Sequence, residues 1–445
     1  MSEEAAQGPF HGVTVALAPD SFKGTLDAFA AAEAMERGAL RALPGARCLR
    51  MPLADGGEGT AALLCRVTGG HGREVESVDP LGRPISATIF CLGGLGGKGK
   101  VWAVDTADAS GLTRLAPSER DPLLASSEGT GRLLLSALAE GAEEMILGLG
   151  GSATVDGGKG LCQALGFRFL DRGGRELAPG GGSLREIHRI DSSGVGADVW
   201  RLGPRLRLAC DVQSPLLGPR GAARVFGPQK GADPSAVELL EEGLARLLEV
   251  LREHPGPCGG ARELATLPGT GAAGGIGACL RALIGASLEP GGALVIRAAR
   301  YVEQLEGCDL VLVGEGRMDR QTLEGKAPAA MAAEARALGI PVLGITGVPG
   351  PGICELGFLE DWEAARGQGG SHEGGDGQAI GGELPVGGSG RPVGGSEGRQ
   401  SDREGLERGR KEAEEALPDP VTAAHEVAAA AERLLGRWAR PRFSS

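Results

Sequence analysis

Near the start of the chain, Val13-Thr14-Val15-Ala16-Leu17-Ala18 is an apolar run with little polar alternation, the pattern of a strand covered on both faces. Asp20 and Ser21 open a loop behind it. From about Leu26 to Leu43, Leu26, Phe29, Ala30, Ala34 and Leu40 recur at helical spacing, and Pro44-Gly45 ends the helix. A second strand near Arg47 to Met51 runs into Asp55-Gly56-Gly57-Glu58-Gly59-Thr60 and another Ala/Leu helix. The same order returns late, with Asp309 to Val313 as a strand, Ala327 to Leu338 as a helix and Pro341 to Ile345 as a strand. Such alternation predicts a parallel sheet flanked by helices. Between the two lies a more varied region, roughly 72 to 292. It has extended stretches at Ile85 to Phe90 and Val101 to Asp105, and helices at Gly131 to Leu138 and Val237 to Leu251, the latter with Leu240, Leu244, Leu247 and Leu251 on one stripe. The expected fold is α/β, with a second domain inserted into a first.

The stretch from Arg366 to Gln400 is different in kind, because 14 of its 35 residues are Gly and almost none is large and apolar. Such a composition cannot offset its ordering entropy by burial, so disorder is expected there and, with the charged run that follows, to residue 417. A helix from about Val421 to Trp438 closes the chain.

Composition narrows the classes of function. The 445 residues suit a multi-domain enzyme, and a formal charge of −12 argues against nucleic acid or an anionic membrane as partner. One Tyr, four Trp and nine Phe leave few platforms for base stacking. The nine cysteines form no C-x-x-C pair, no apolar leader is visible and no window is long and apolar enough for a span, so a cytoplasmic protein with reduced thiols is expected.

Some motifs fail on their context. Gly94 to Lys100 has the G-x-x-x-x-G-K spacing, but Val101 stands where a P-loop needs a hydroxyl. Gly269-Thr270-Gly271-Ala272-Ala273-Gly274 fits G-x-G-x-x-G without a convincing strand before it. The six histidines lie outside every dense motif, which removes support for a His-based zinc site or a Ser-His-Asp triad. What remains is a set of loops at apparent strand ends, where open α/β sheets bind ligands. They are Asp20-Ser21-Phe22-Lys23-Gly24, Asp55 to Thr60, the glycine-rich run Gly148 to Gly160, Cys210-Asp211 after a strand, and Glu315-Gly316-Arg317-Met318-Asp319 leading to Lys326. Glycines let backbone approach a ligand, while the acids, hydroxyls and lysines mixed among them exceed what turns and caps require.

These words, in this order, resemble the type-1 glycerate kinase family: APDSFKGT (18–25), PLADGGEGT (52–60), GLGGSATVDGGKG (148–160), ACDVQSPLLGPRGAA (209–223), FGPQKGAD (226–233), GTGAAGGIGA (269–278) and DLVLVGEGRMDRQTLEGKAP (309–328). The resemblance spans about 12 to 347. It implies ATP- and Mg²⁺-dependent phosphorylation of D-glycerate, usually to 2-phosphoglycerate. It also implies a flavodoxin-like parallel-sheet domain formed by both chain ends (12–71, 293–347 and 418–440), with an α/β domain (72–292) inserted and the site between them. On this sequence we assign Gly150, Gly151, Ser152, Thr154, Gly157 and Lys326 to the nucleotide phosphates, with Lys23 and Lys326 on a phosphate or the glycerate carboxylate. Ser21, Asp55, Glu58, Glu315 and Arg317 fall to the substrate, and Asp55 and Asp211 to Mg²⁺. Asp319 is the candidate general base and Asp156 its rival, with Lys23 beside them as a catalytic cation. Val155 and Ser214 stand where the family usually has Asn, and the glycine-rich segment interrupts the usual path into the last helices. Glycerate and ATP are the expected partners, a homo-oligomer is left open, and two alternatives stand beside this reading: a kinase for another hydroxy acid, and a nucleotide-binding regulator without turnover.

Overall fold

Strands form where the apolar runs lie. In chain order they are β1 (Thr14–Pro19), β2 (Arg47–Arg50), β3 (His71–Val78), β4 (Pro84–Cys91), β5 (Val101–Asp105), β6 (Glu144–Gly148), β7 (Arg168–Leu170), β8 (Arg189–Asp191), β9 (Leu206–Ala209), β10 (Ser287–Glu289), β11 (Leu310–Met318), β12 (Val342–Pro349) and β13 (Asp361–Ala364). The computed structural model describes residues 10–22, 24–94, 100–254, 264–318, 322, 326–349, 359, 361–365 and 419–443. Lys23, Asp319, the interior of the Gly94–Lys100 loop and the 366–417 stretch lie outside the described residues.

The first sheet runs β2-β1-β11-β12-β13 and every pairing in it is parallel. Counted along this domain alone the order is 2-1-3-4-5, the flavodoxin-like doubly wound arrangement. Its topological switch point falls between β1 and β11, which aims the carboxyl ends of those strands, Asp20 and Glu315 to Met318, at the ligand-binding crevice. One face is covered by the helix Ala28–Ala42, N-capped by Asp27, and by the terminal helix Pro420–Phe443. The two cross so closely that a Cβ on Gly38 would lie 2.1 Å from the Ala428 carbonyl oxygen. The other face packs Ile296, Tyr301, Met331 and Ala335 against Ala16, Ala18, Val311 and Val313. Both ends of the chain therefore build this domain, as the alternation of elements suggests.

The second sheet runs β3-β4-β5-β6-β9-β10. It is mixed: a tight turn at Asp79 to Gly82 forces β3 and β4 antiparallel, β4 opposes β5, and β5, β6, β9 and β10 are parallel. Its largest core lies under the helices Glu128–Ala139, Pro234–Glu253 and Ile276–Ile284. A smaller apolar layer joins the two sheets, where Ala61 and Leu64 of helix Thr60–Thr68 and Leu294 and Val295 of helix Gly291–Ala298 meet Ala103, Ile146 and Ala209. This joint fixes the loops of one sheet against those of the other.

Candidate active site

Loops from both sheets enclose a pocket of about 150 Å³, ample for a small polar molecule. Asp55, Gly56 and Gly57 enter from the loop after β2, Leu149 to Ser152 from that after β6, and Cys210 to Val212 from that after β9. Asp211 is the most perturbed carboxyl here. Its Oδ1 accepts from the backbone N–H groups of Gly291 (2.9 Å) and Gly292 (3.4 Å), capping the helix Gly291–Ala298, while its Oδ2 is buried without a hydrogen-bond partner. Burial first, then the neighbouring Asp55 and more distantly Asp20, push it up to about 8, against the two backbone donors that favour the carboxylate. Asp55 accepts from the Gly57 N–H at 2.9 Å. Among the described residues no group of three or more His, Cys, Asp or Glu side chains is placed to hold a metal ion. The donor set is instead a carboxylate pair with one orphaned oxygen, which fits a cation such as Mg²⁺ that keeps waters and takes phosphate oxygens as further ligands.

The loop after β6 is shaped by close approaches. A Cβ on Gly150 would lie 2.4 Å from the Gly57 Cα, and Gly151 adopts φ +71°, so both positions demand glycine. Ser152 and Thr154 are buried, and Thr154 Oγ1 has no partner. Asp156 is fully buried: its Oδ2 accepts from Ser127 N–H, Ser127 Oγ and Gly160 N–H, and its Oδ1 from Gly158 N–H. Gly157 lies behind the pocket, donating its N–H to Gly274 O at 3.0 Å. Lys159, the cation of this motif, turns into the second domain, where its Nζ donates to Ala178 O and Ser183 Oγ and burial lowers it to about 8.

The remaining predicted residues do not line the pocket. Glu58 Oε2 stands 3.5 Å from the Cβ position of Gly151. Glu315 is buried, its Oε1 accepting from Lys326 at 2.5 Å and its Oε2 from Thr322 at 3.1 Å, so these two predicted residues are tied to each other. Arg317 is exposed at the end of β11 and Ser21 is half-buried beside Asp20. At the end of β5, Asp105 accepts from the N–H groups of Gly59 and Ala61 and so fixes the start of helix Thr60–Thr68. Two stretches quoted above as family words, with no role given to any of their residues, also reach the pocket. Lys230 lines the pocket from the short turn Pro228–Lys230, and Ala272 and Ala273 form a wall, Ala273 at φ 50°. The motif dismissed as a Rossmann look-alike thus supplies part of the site, and its signal was the density of small residues.

Comparison with known proteins identifies the family. A model of the glycerate kinase family matches residues 15–357. The chain belongs to the glycerate kinase family. A glycerate kinase from Halalkalibacterium halodurans is 43% identical over 339 residues, 76% of this chain and 86% of that protein. The glycerate 2-kinase of Escherichia coli K12 is 42% identical over 340 residues, 75% and 84% of the two chains. A crystal structure from Salmonella typhimurium LT2 assigned as a glycerate kinase 2 superposes with a TM-score of 0.73 at 33% identity, covering 97% of this chain and 99% of that one. Membership makes the chain an enzyme of the kinase class. No helix among the described residues is long and apolar enough to cross a membrane.

Proposed function

We propose that the chain transfers the γ-phosphoryl group of ATP to the 2-hydroxyl of D-glycerate, in the cytoplasm and in the pocket between its two sheets. Family membership supports the substrate. The observation that carries the site is Asp211 Oδ2, a buried acceptor with no partner, on a pocket it shares with Asp55. A polar oxygen left unmet inside a fold costs free energy unless a ligand meets it.

Phosphoryl transfer asks the protein for positioning and charge neutralisation rather than covalent chemistry. Mg²⁺ held by Asp55 and Asp211 with the nucleotide phosphates would offset the charge that builds up on the transferring group. The Gly150–Gly151–Ser152 loop brings backbone close to the phosphates, and Ser152 keeps an O–H to donate because its oxygen accepts from Lys230. Asp156 holds Ser127, Gly158 and Gly160 and so sets the shape of that loop. Ser21, Glu58 and Arg317 are proposed to orient glycerate, Lys23 and the Glu315-paired Lys326 to face its carboxylate or a phosphate, and Asp319 to accept the hydroxyl proton.

The test couples purified protein, ATP, Mg²⁺ and D-glycerate to mutase-free enolase. Phosphoenolpyruvate should appear at the rate of ADP release. ADP without phosphoenolpyruvate until mutase is added would make the product the 3-isomer. ADP release with other hydroxy acids but not glycerate would move the reading to a different substrate.

A further inference from the structure

Lys230 is 3% exposed, and its Nζ donates to Ser152 Oγ at 2.9 Å and to Thr154 O at 2.7 Å. An ammonium has three N–H donors, so two are spent on neutral oxygens and one is left. Among the described residues Lys230 has no ion pair. The charged groups around it do not supply one. Asp156 reaches it only through its field, with its carboxylate oxygens committed to Ser127, Gly158 and Gly160. Arg224, on the helix Ala222–Phe226 packed against the Lys230 turn, is a like charge and is engaged with Glu238 and Glu241. Asp55 and Asp211 line the same pocket and are the residues assigned to the cation. A buried charge without a counter-ion is costly, and burial accordingly lowers Lys230 to about 7.

We propose that Lys230 is the oxyanion anchor of the pocket, its third N–H taking an oxygen of the ligand, so that the missing counter-charge arrives with the substrate. This rests on the reading of the pocket as the site for glycerate and ATP. The ligand group is a carboxylate or a phosphate oxygen, which share this chemistry. An anion at Nζ favours the ammonium. Binding therefore takes up a proton at pH values above about 7, and affinity falls there by up to about tenfold per pH unit.

Titration calorimetry on the full chain, at pH 6.0 and 8.5 in two buffers of different ionisation heat, tests this with D-glycerate and, separately, with ADP, both without Mg²⁺ so that no cation displaces the proton on Asp211. The wild type should take up close to one proton at pH 8.5 and almost none at pH 6.0 with the ligand that Lys230 holds. Uptake with glycerate names the carboxylate, and uptake with ADP names the phosphate. Lys230→Met should weaken that ligand at least about tenfold at pH 6.0, whereas Lys230→Arg should keep binding and lose the proton uptake. Binding by the wild type without uptake at pH 8.5 overturns the proposal while leaving the site reading intact, and needs no variant to fold. A wild type that binds neither ligand overturns both.

Discussion

A carboxylate that accepts four hydrogen bonds inside the protein has little capacity left for a substrate proton, and Asp156 is in that position. It was a plausible base in the sequence because an acid inside a glycine-rich loop looks catalytic, yet the identical pattern arises when an acid ties such a loop together. The two roles separate by measurement. Asp156→Asn turns an acceptor oxygen into a donor facing N–H groups and should cost about 2–4 kcal/mol of stability, seen as a lowered melting temperature. Asp319→Asn should melt like the wild type, bind ATP normally and turn over roughly a hundredfold more slowly. A thermally intact Asp156→Asn variant with the kinetic defect would exchange the assignments. Lys230 shows the converse difficulty: a lone lysine in a Pro/Gly turn reads as solvated, and only the fold reveals it to be buried against Ser152.

At the scale of elements, the long apolar strands were legible because they lie at the centre of sheets and cannot alternate. β1 and β11 are the clearest, with Val15, Ala16, Leu17 and Leu310 to Val313 fully buried. β7, β8 and β13 were not, being only three or four residues long, so their pairing is decided by tertiary context. Helix ends were legible to within a few residues where an acid caps them, as Asp27 and Asp233 do. The glycine-rich loops were legible as sites, but which glycine matters is a question of distance. Gly150→Ala would drive a Cβ to 2.4 Å from the Gly57 backbone, so the β6 loop and the Asp55 loop must separate. Turnover should fall by more than about tenfold with a modest loss of stability. Gly196, in extended backbone at φ −67° with nothing within 4 Å of its Cβ position, is the control, and Gly196→Ala should be silent in both assays.

Across the whole molecule, the two sheets meet not only in an apolar layer but also in charge, since Asp55 follows a strand of the first sheet and Asp211 a strand of the second. The doubly wound order could be anticipated from the alternating elements, but no sequence pattern says that these two acids end in one pocket, because that depends on how the helices Thr60–Thr68 and Gly291–Ala298 seat on the second sheet. Their meeting makes stability depend on pH in a definite direction. Asp211 has a folded value of about 8, above its ordinary 3.8, so the folded state holds the extra proton. The associated stability is fully present below about pH 4 and is lost as pH rises through 8. Lys230 acts in the opposite sense between about 7 and 10.5, so the comparison must isolate Asp211. Asp211→Asn should gain on the wild type steadily between pH 5 and pH 8.5, by several degrees in melting temperature. Mg²⁺ with ADP supplies the counter-charge that burial withholds, so it should raise the wild-type melting temperature more at pH 8.5 than at pH 6 and do little for Asp211→Asn. Equal Mg²⁺ effects in the two proteins would remove Asp211 from the cation site, and with it the electrostatic link between the two sheets.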